Sequence, residues 1–211
     1  MKNRVWLLAG CFLILTFFPP AAVSGQGPYI SAGLGMAFLS DADVTDSTAP
    51  GVQLSFESDA GFSGLLALGY RYTDNFRMET ELFYQTNDYD KTVYNGADVN
   101  LSGDTSCLAG LINAYYDFAN ASGFTPFVTA GAGIAKVKTS EFNITGSGVS
   151  STSDDDTVFA YQAGAGLSYA ISPSLSIDCT YRYFATLDPE FDTAESEYAS
   201  HNIYIGLRLS Y

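Results

Sequence analysis

Ser200 and His201 are neighbours in the sequence, and His201 is the single histidine of the chain. A nucleophile–base mechanism needs a hydroxyl and an imidazole at hydrogen-bond distance. Both residues open a segment of strict apolar alternation, and neighbours on a β-strand point to opposite faces. They therefore cannot serve each other. The parity of the segment turns His201 outward, no triad is present, and no enzymatic activity is expected. A second set of reactive residues is charged. Arg77, Glu79 and Glu81 alternate with apolar residues in Phe76–Gln85, and Arg71, Asp178, Arg182 and Arg208 occupy the same phase of other apolar segments. Carboxylates at alternate positions of an apolar frame belong in a wet lumen, not in lipid or a dry core. A buried charge without a partner costs several kcal/mol. These seven residues are expected to pair into a network plugging the lower lumen, with Arg71, Glu79, Asp178 and Arg208 at one height and Arg77 and Glu81 flanking them.

Most of the remaining acids crowd into four polar stretches: Asp41, Asp43 and Asp46; Asp88, Asp90 and Asp98; Asp154, Asp155 and Asp156; and Asp188, Glu190, Asp192, Glu195 and Glu197. Carboxylate oxygens suit Ca²⁺, but none of these stretches has the fixed spacing of a calcium loop. Solvated loops that repel one another and resist aggregation fit better. No metal and no cofactor are expected. After leader removal the cysteines are Cys107 and Cys179, with Cys107 facing in and Cys179 out, so free thiols are expected rather than a disulfide.

The front of the chain has the order of a secretory signal peptide. Lys2 and Arg4 precede an apolar run from Val5 to Phe18, then Pro19, Pro20 and small residues. The run is shorter than the roughly 20 residues a spanning helix needs. Leu8-Ala9-Gly10-Cys11 spells a lipoprotein cleavage box, but the apolar run continues past Cys11, and cleavage after Ser24 or Gly25 fits better. Residues 1–24 are thus read as a cleaved leader and 25–211 as one domain. Loss of Lys2 and Arg4 lowers nine basic residues to seven against an unchanged 23 acids, a formal net charge of −16. That balance argues against nucleic-acid binding, which wants a basic surface.

The elements that must position these residues are strands. Eight segments alternate apolar with small or polar residues: Pro28–Leu39, Phe62–Thr73, Phe76–Gln85, Thr105–Phe118, Pro126–Val137, Val158–Ile171, Leu175–Leu187 and Asn202–Tyr211. Eight is the smallest even strand number of a closed bacterial outer-membrane barrel, with lipid outside and a polar lumen inside. Tyr29, Tyr72, Phe76, Tyr116, Phe118, Tyr169 and Tyr211 lie near segment ends, as interfacial girdles require. Tight connections at Asp74-Asn75, Ala119–Gly123 and Ser172–Ser174 alternate with long ones at Ser40–Gly61, Asn87–Gly103, Lys138–Asp156 and Asp188–Ser200. Short turns go to the periplasm and long loops outside, which places both mature termini in the periplasm. The alternating stretch Val52–Glu57 is expected to prolong the second strand past a bend near Gly61. The expected fold is all-β: an eight-stranded antiparallel up-and-down transmembrane β-barrel.

Gly27–Gly35, Phe76–Leu82, Thr125–Gly133, the hairpin Tyr161–Tyr183 and the ending His201–Tyr211 resemble small outer-membrane β-barrel proteins of the opacity-protein and surface-antigen type. That type is related to the transmembrane domain of outer membrane protein A. The resemblance covers essentially the whole mature chain. It implies outer-membrane lipid as surroundings, and the barrel-assembly machinery as a partner reading the signal Gly206, Leu209 and Tyr211. The usual last residue of that signal is Phe, and Tyr211 departs mildly from it. No periplasmic peptidoglycan-binding domain is expected to follow. The resemblance also implies a structural or surface-interaction role, with host-surface or envelope partners reached through the loops. The alternative is a narrow porin-like passive channel, which an eight-stranded lumen filled by side chains disfavours. A monomer is expected.

Overall fold

The computed structural model describes residues 25–40, 44–45, 53–54, 56–57, 60–94, 97–139, 143–144, 154–187, 190–191, 194–195 and 198–211. The expected leader, with its alternative at Cys11, and the acidic positions Asp41, Asp43, Asp46, Asp188, Asp192 and Glu197 lie outside the described residues. Eight long strands build the molecule: β1 (Gly27–Leu39), β2 (Gly61–Arg71), β3 (Phe76–Tyr94), β4 (Ala97–Asp117), β5 (Phe124–Thr139), β6 (Asp154–Ala170), β7 (Leu175–Thr186) and β8 (Ala199–Ser210). Each pairs antiparallel with its neighbours in the chain, and β8 returns to pair with β1, from Tyr29 opposite Ser210 to Leu39 opposite Ser200. The sheet therefore closes into an up-and-down barrel and leaves no edge in the wall, the condition for crossing lipid with strands.

Period-2 alternation decides which face each residue takes. Leu34, Leu66, Leu68, Leu82, Ile112, Ile134, Ile205 and Leu207 are exposed on the outer wall, while Ser63, Asn113, Gln162, Thr180 and Asn202 are buried within. Side chains hold the tight turns. Thr73 Oγ1 accepts from the backbone N–H of Asn75 at 3.2 Å and of Phe76 at 2.9 Å. Asn120 Oδ1 accepts from Ser122 N at 2.8 Å, and Ser172 Oγ accepts from Leu175 N at 3.0 Å.

Three expectations need correction. Asn87–Gly103 is not a long loop. β3 runs to Tyr94 and β4 starts at Ala97, paired directly with it. The physical reason is in the residues themselves: Tyr89, Thr92, Val93, Val99 and Leu101 favour strands, and Asn-Gly is the strongest short hairpin signal. Tyr29 is not an interfacial residue. Its strand neighbour Ile30 faces lipid, so Tyr29 must face the lumen, where it is 2% exposed. Tyr169 is not free at the interface either. It lies opposite Phe124 across the β5–β6 pair, and the ring centroids are 4.7 Å apart. The Val52–Glu57 stretch contributes two short strands. Gln53–Leu54 pairs with Val44–Thr45, while Phe56–Glu57 takes the place beside β3 that β2 occupies lower down.

Candidate functional site

Strand β3 shows the order of the lumen from the tight-turn end upward: Arg77, Glu79, Glu81, then Phe83, then Gln85 and Asn87, all buried. Strand β7 repeats it with Asp178, Arg182 and Phe184. The lumen is thus a charged layer, an aromatic layer and an amide layer stacked along the barrel.

In the charged layer Arg77 Nε donates to both carboxylate oxygens of Asp117, at 3.2 and 3.1 Å. Its Nη1 donates to Glu79 Oε1 at 3.1 Å. Arg71 Nη2 reaches the same Asp117 at 3.2 Å. Tyr115 links this group to a second one: its hydroxyl donates to Glu79 Oε2 at 2.8 Å and accepts from Arg182 Nη2 at 2.6 Å. Arg182 Nη1 meets Glu81 Oε2 at 2.6 Å. Asn113 and Gln162 complete the surroundings of Glu81, at 3.0 and 3.2 Å. Arg208 stands apart, donating to Ser168 Oγ at 2.7 Å and Asp178 Oδ1 at 3.3 Å. The seven sequence-selected residues therefore fall into three ion-paired groups, two of them joined through Tyr115.

Asp117 was missed as a network member, although it takes two arginines. Its inward parity was legible, but its place at the end of β4 gave no sign of what would face it. The arginines also lie on rings, with the Arg77 guanidinium carbon 3.8 Å from the Tyr115 centroid and 5.0 Å from that of Phe127. A cavity of about 30 Å³ lies between Arg77, Glu79, Tyr115, Asp178 and Arg182, room for a water molecule or two.

Above this layer the expectation of a polar lumen fails. Phe83 and Phe184 pack with their rings tilted by 45° and centroids 5.0 Å apart, and Cys107, Leu111, Val137 and Tyr204 pack around them. The inward phase of the strands carries apolar residues here because the closed wall excludes water and lipid alike. Higher still, Gln85 Nε2 donates to Asn87 Oδ1 and Tyr198 OH, both at 2.9 Å, and Gln85 Oε1 accepts from Ser200 Oγ at 3.0 Å. Ser200 is thus committed to the lumen. His201 faces outward, its Nδ1 2.7 Å from the Tyr181 hydroxyl.

Cys107 is buried inside and Cys179 is partly exposed, and neither is in a disulfide. Among the described residues no group of three or more His, Cys, Asp or Glu side chains could hold a metal ion. Gly206 lies opposite Gly33 in the β1–β8 pair, while Leu209 and Tyr211 are exposed on the outer wall.

A family model described as the outer membrane protein β-barrel domain matches residues 7–210. The outer membrane protein PagN of Salmonella typhimurium is 33% identical over 134 residues, 58% of this chain and 56% of PagN, so the chain spans just over half of that relative's length. The putative adhesin RC1281 of Rickettsia conorii is 27% identical over 182 residues, covering 74% of this chain and 70% of the adhesin. Among solved structures, Neisserial surface protein A superimposes with a TM-score of 0.57 at 22% identity, covering 89% of this chain and 100% of that one. The outer membrane protein OprG of Pseudomonas aeruginosa gives a TM-score of 0.55 at 13% identity, covering 92% and 99%. These two likenesses are of fold.

Proposed function

Because this chain belongs to the outer membrane protein β-barrel domain family, we propose that it is a surface-displayed scaffold: a filled, rigid barrel in the outer membrane that holds acidic loops out for attachment. One observation carries the reading. The lumen is occupied from the Arg77–Asp117 layer through Phe83 and Phe184 to the Gln85 amide layer, so the interior is spent on stability, and binding capacity is left to the loop end. Long loops on a rigid scaffold are where function concentrates. The similarity to a putative adhesin supports attachment as the task.

In this reading the leader is removed on export, the tight turns and both termini face the periplasm, and the acidic loops face outward. Their charge selects a basic partner on a host surface or in the envelope. No catalytic step is assigned to the barrel.

The test is replacement of segments 40–60, 140–153 and 187–198, one at a time, by short Gly/Ser turns in cells displaying the protein. Loss of binding to host cells, matrix proteins or envelope partners with at least one replacement is expected. Undiminished binding by all three would overturn the attachment reading, and a wide, stable conductance of the intact barrel in planar bilayers would overturn the filled-scaffold reading.

A further inference from the structure

The basic residues divide sharply between the two faces of the wall. Arg71, Arg77, Arg182 and Arg208 are buried in the lumen. On the outer face, among residues with described side chains, the cations are Lys136 and Lys138, two positions apart on β5 and both exposed. They continue the outward phase of Val128, Ala130, Ala132 and Ile134. Lys136 stands ten positions beyond Pro126, about 25 Å up the wall at roughly 3.3 Å per residue and a tilt of about 40°. That is the height of the apolar band of a membrane barrel, so the two ammonium groups emerge where hydrocarbon gives way to headgroups.

The neighbouring strands agree. Lys136 lies level with the exposed Leu108 on β4 and with Thr157 on β6, and Lys138 lies level with Ser106 and Asp155. Asp88 and Asp104, paired across β3 and β4, sit one step further out than Ser106. Moving up the wall from the membrane, the order is apolar side chains, then Lys136, then Lys138 level with Asp155, then Asp88 and Asp104. A phosphate at the headgroup level meets Lys136 before it meets any of these acids. In a chain of formal net charge −14, a basic pair at that one height is the feature an anionic headgroup would recognise.

We propose that Lys136 and Lys138 form a docking site for the phosphate of a lipid in the leaflet on the loop side of the membrane. The site rests on the family reading of the barrel as an outer-membrane protein and on the loop-outward orientation for which leaflet it meets. Asp155 restrains it. The Asp155 carboxylate is 2.6 Å from Lys136 Nζ, and that hydrogen bond and charge hold its pKa below the ordinary carboxylate value. It therefore stays ionised near neutrality and competes with the lipid for one of the two ammonium groups.

The test is native mass spectrometry of the full barrel, folded in detergent and titrated with bisphosphorylated lipid A or its dephosphorylated form. The wild type is expected to retain one phosphorylated lipid and little of the dephosphorylated form. K136Q/K138Q is expected to weaken retention about tenfold, and D155N to strengthen it a few-fold. Folding of each variant is read from heat-modifiable gel mobility. Equal retention by the wild type and K136Q/K138Q would overturn the site, and so would equal retention of the two lipids by the wild type. Detergent micelles have no leaflets, so this outcome is independent of orientation. Labelling of an epitope in segment 140–153 on whole cells tests orientation separately.

Discussion

Arg182 and Glu81 meet across the lumen, Nη1 to Oε2 at 2.6 Å, although their strands β7 and β3 share no backbone pairing. The pair is a cross-brace. It ties two distant parts of the wall through side chains alone, and both residues are almost wholly buried.

Breaking the brace from one side is expected to cost about 3–5 kcal/mol, because a buried charge is left without its partner. E81Q should lower the urea midpoint of the folded barrel in detergent accordingly. E81M/R182M should recover most of the loss, since apolar residues of similar volume replace buried pairs at little cost. Gln162 Nε2 still donates to Asn113 Oδ1 in that variant, at 2.7 Å, while Asn113 Nδ2 gives up its bond to Glu81. A double variant no more stable than E81Q would show that the pair contributes more than charge neutralisation.

The aromatic layer is expected to behave as a protein core. F83A removes a ring that is 1% exposed and packed against Phe184, and should destabilise the barrel by about 3–5 kcal/mol. F83L should cost less. Equilibrium unfolding in urea, followed by far-ultraviolet circular dichroism, measures both.

Gly69 is held small by Tyr29. The two are paired across β1 and β2, and a Cβ on residue 69 would run into the Tyr29 ring. That ring is buried, with its hydroxyl 3.4 Å from Arg77 Nη1, so it cannot swing into solvent. G69A should cost about 1–3 kcal/mol, as overpacked cores do. In Y29A/G69A the Gly69→Ala step should cost much less than in the wild-type background, a coupling that a double-mutant cycle measures directly.

The two thiols should separate by access. Cys107 is fully buried in the aromatic layer and Cys179 is partly exposed on the outer wall. In the folded barrel a membrane-permeant maleimide is expected to modify Cys179 and leave Cys107 untouched. Both should react after unfolding, with no mass difference between reduced and non-reduced peptide maps. Fast labelling of Cys107 in the folded state would contradict the packed upper lumen.

The sequence by itself determined the alternation within each strand, the number of barrel strands and their order. On β3, Phe76, Met78, Leu82 and Tyr84 had to face one way and Arg77, Glu79, Glu81 and Gln85 the other, because side-chain direction in a strand has period two and is a local property. The inward course of Tyr29 was legible by the same rule, though its place near a strand end suggested the interface. The pairing of Tyr94 with Ala97 was legible in the Asn-Gly dipeptide between them. What only the tertiary structure decided was partnership across the lumen. Nothing near Arg77 in the chain indicates that Asp117 rather than Asp178 would take its Nε, or that Phe83 would pack against Phe184. Those contacts join residues tens of positions apart. They depend on how far each strand is staggered against the next as the barrel closes, a quantity summed over all eight strand pairings and written in no single segment.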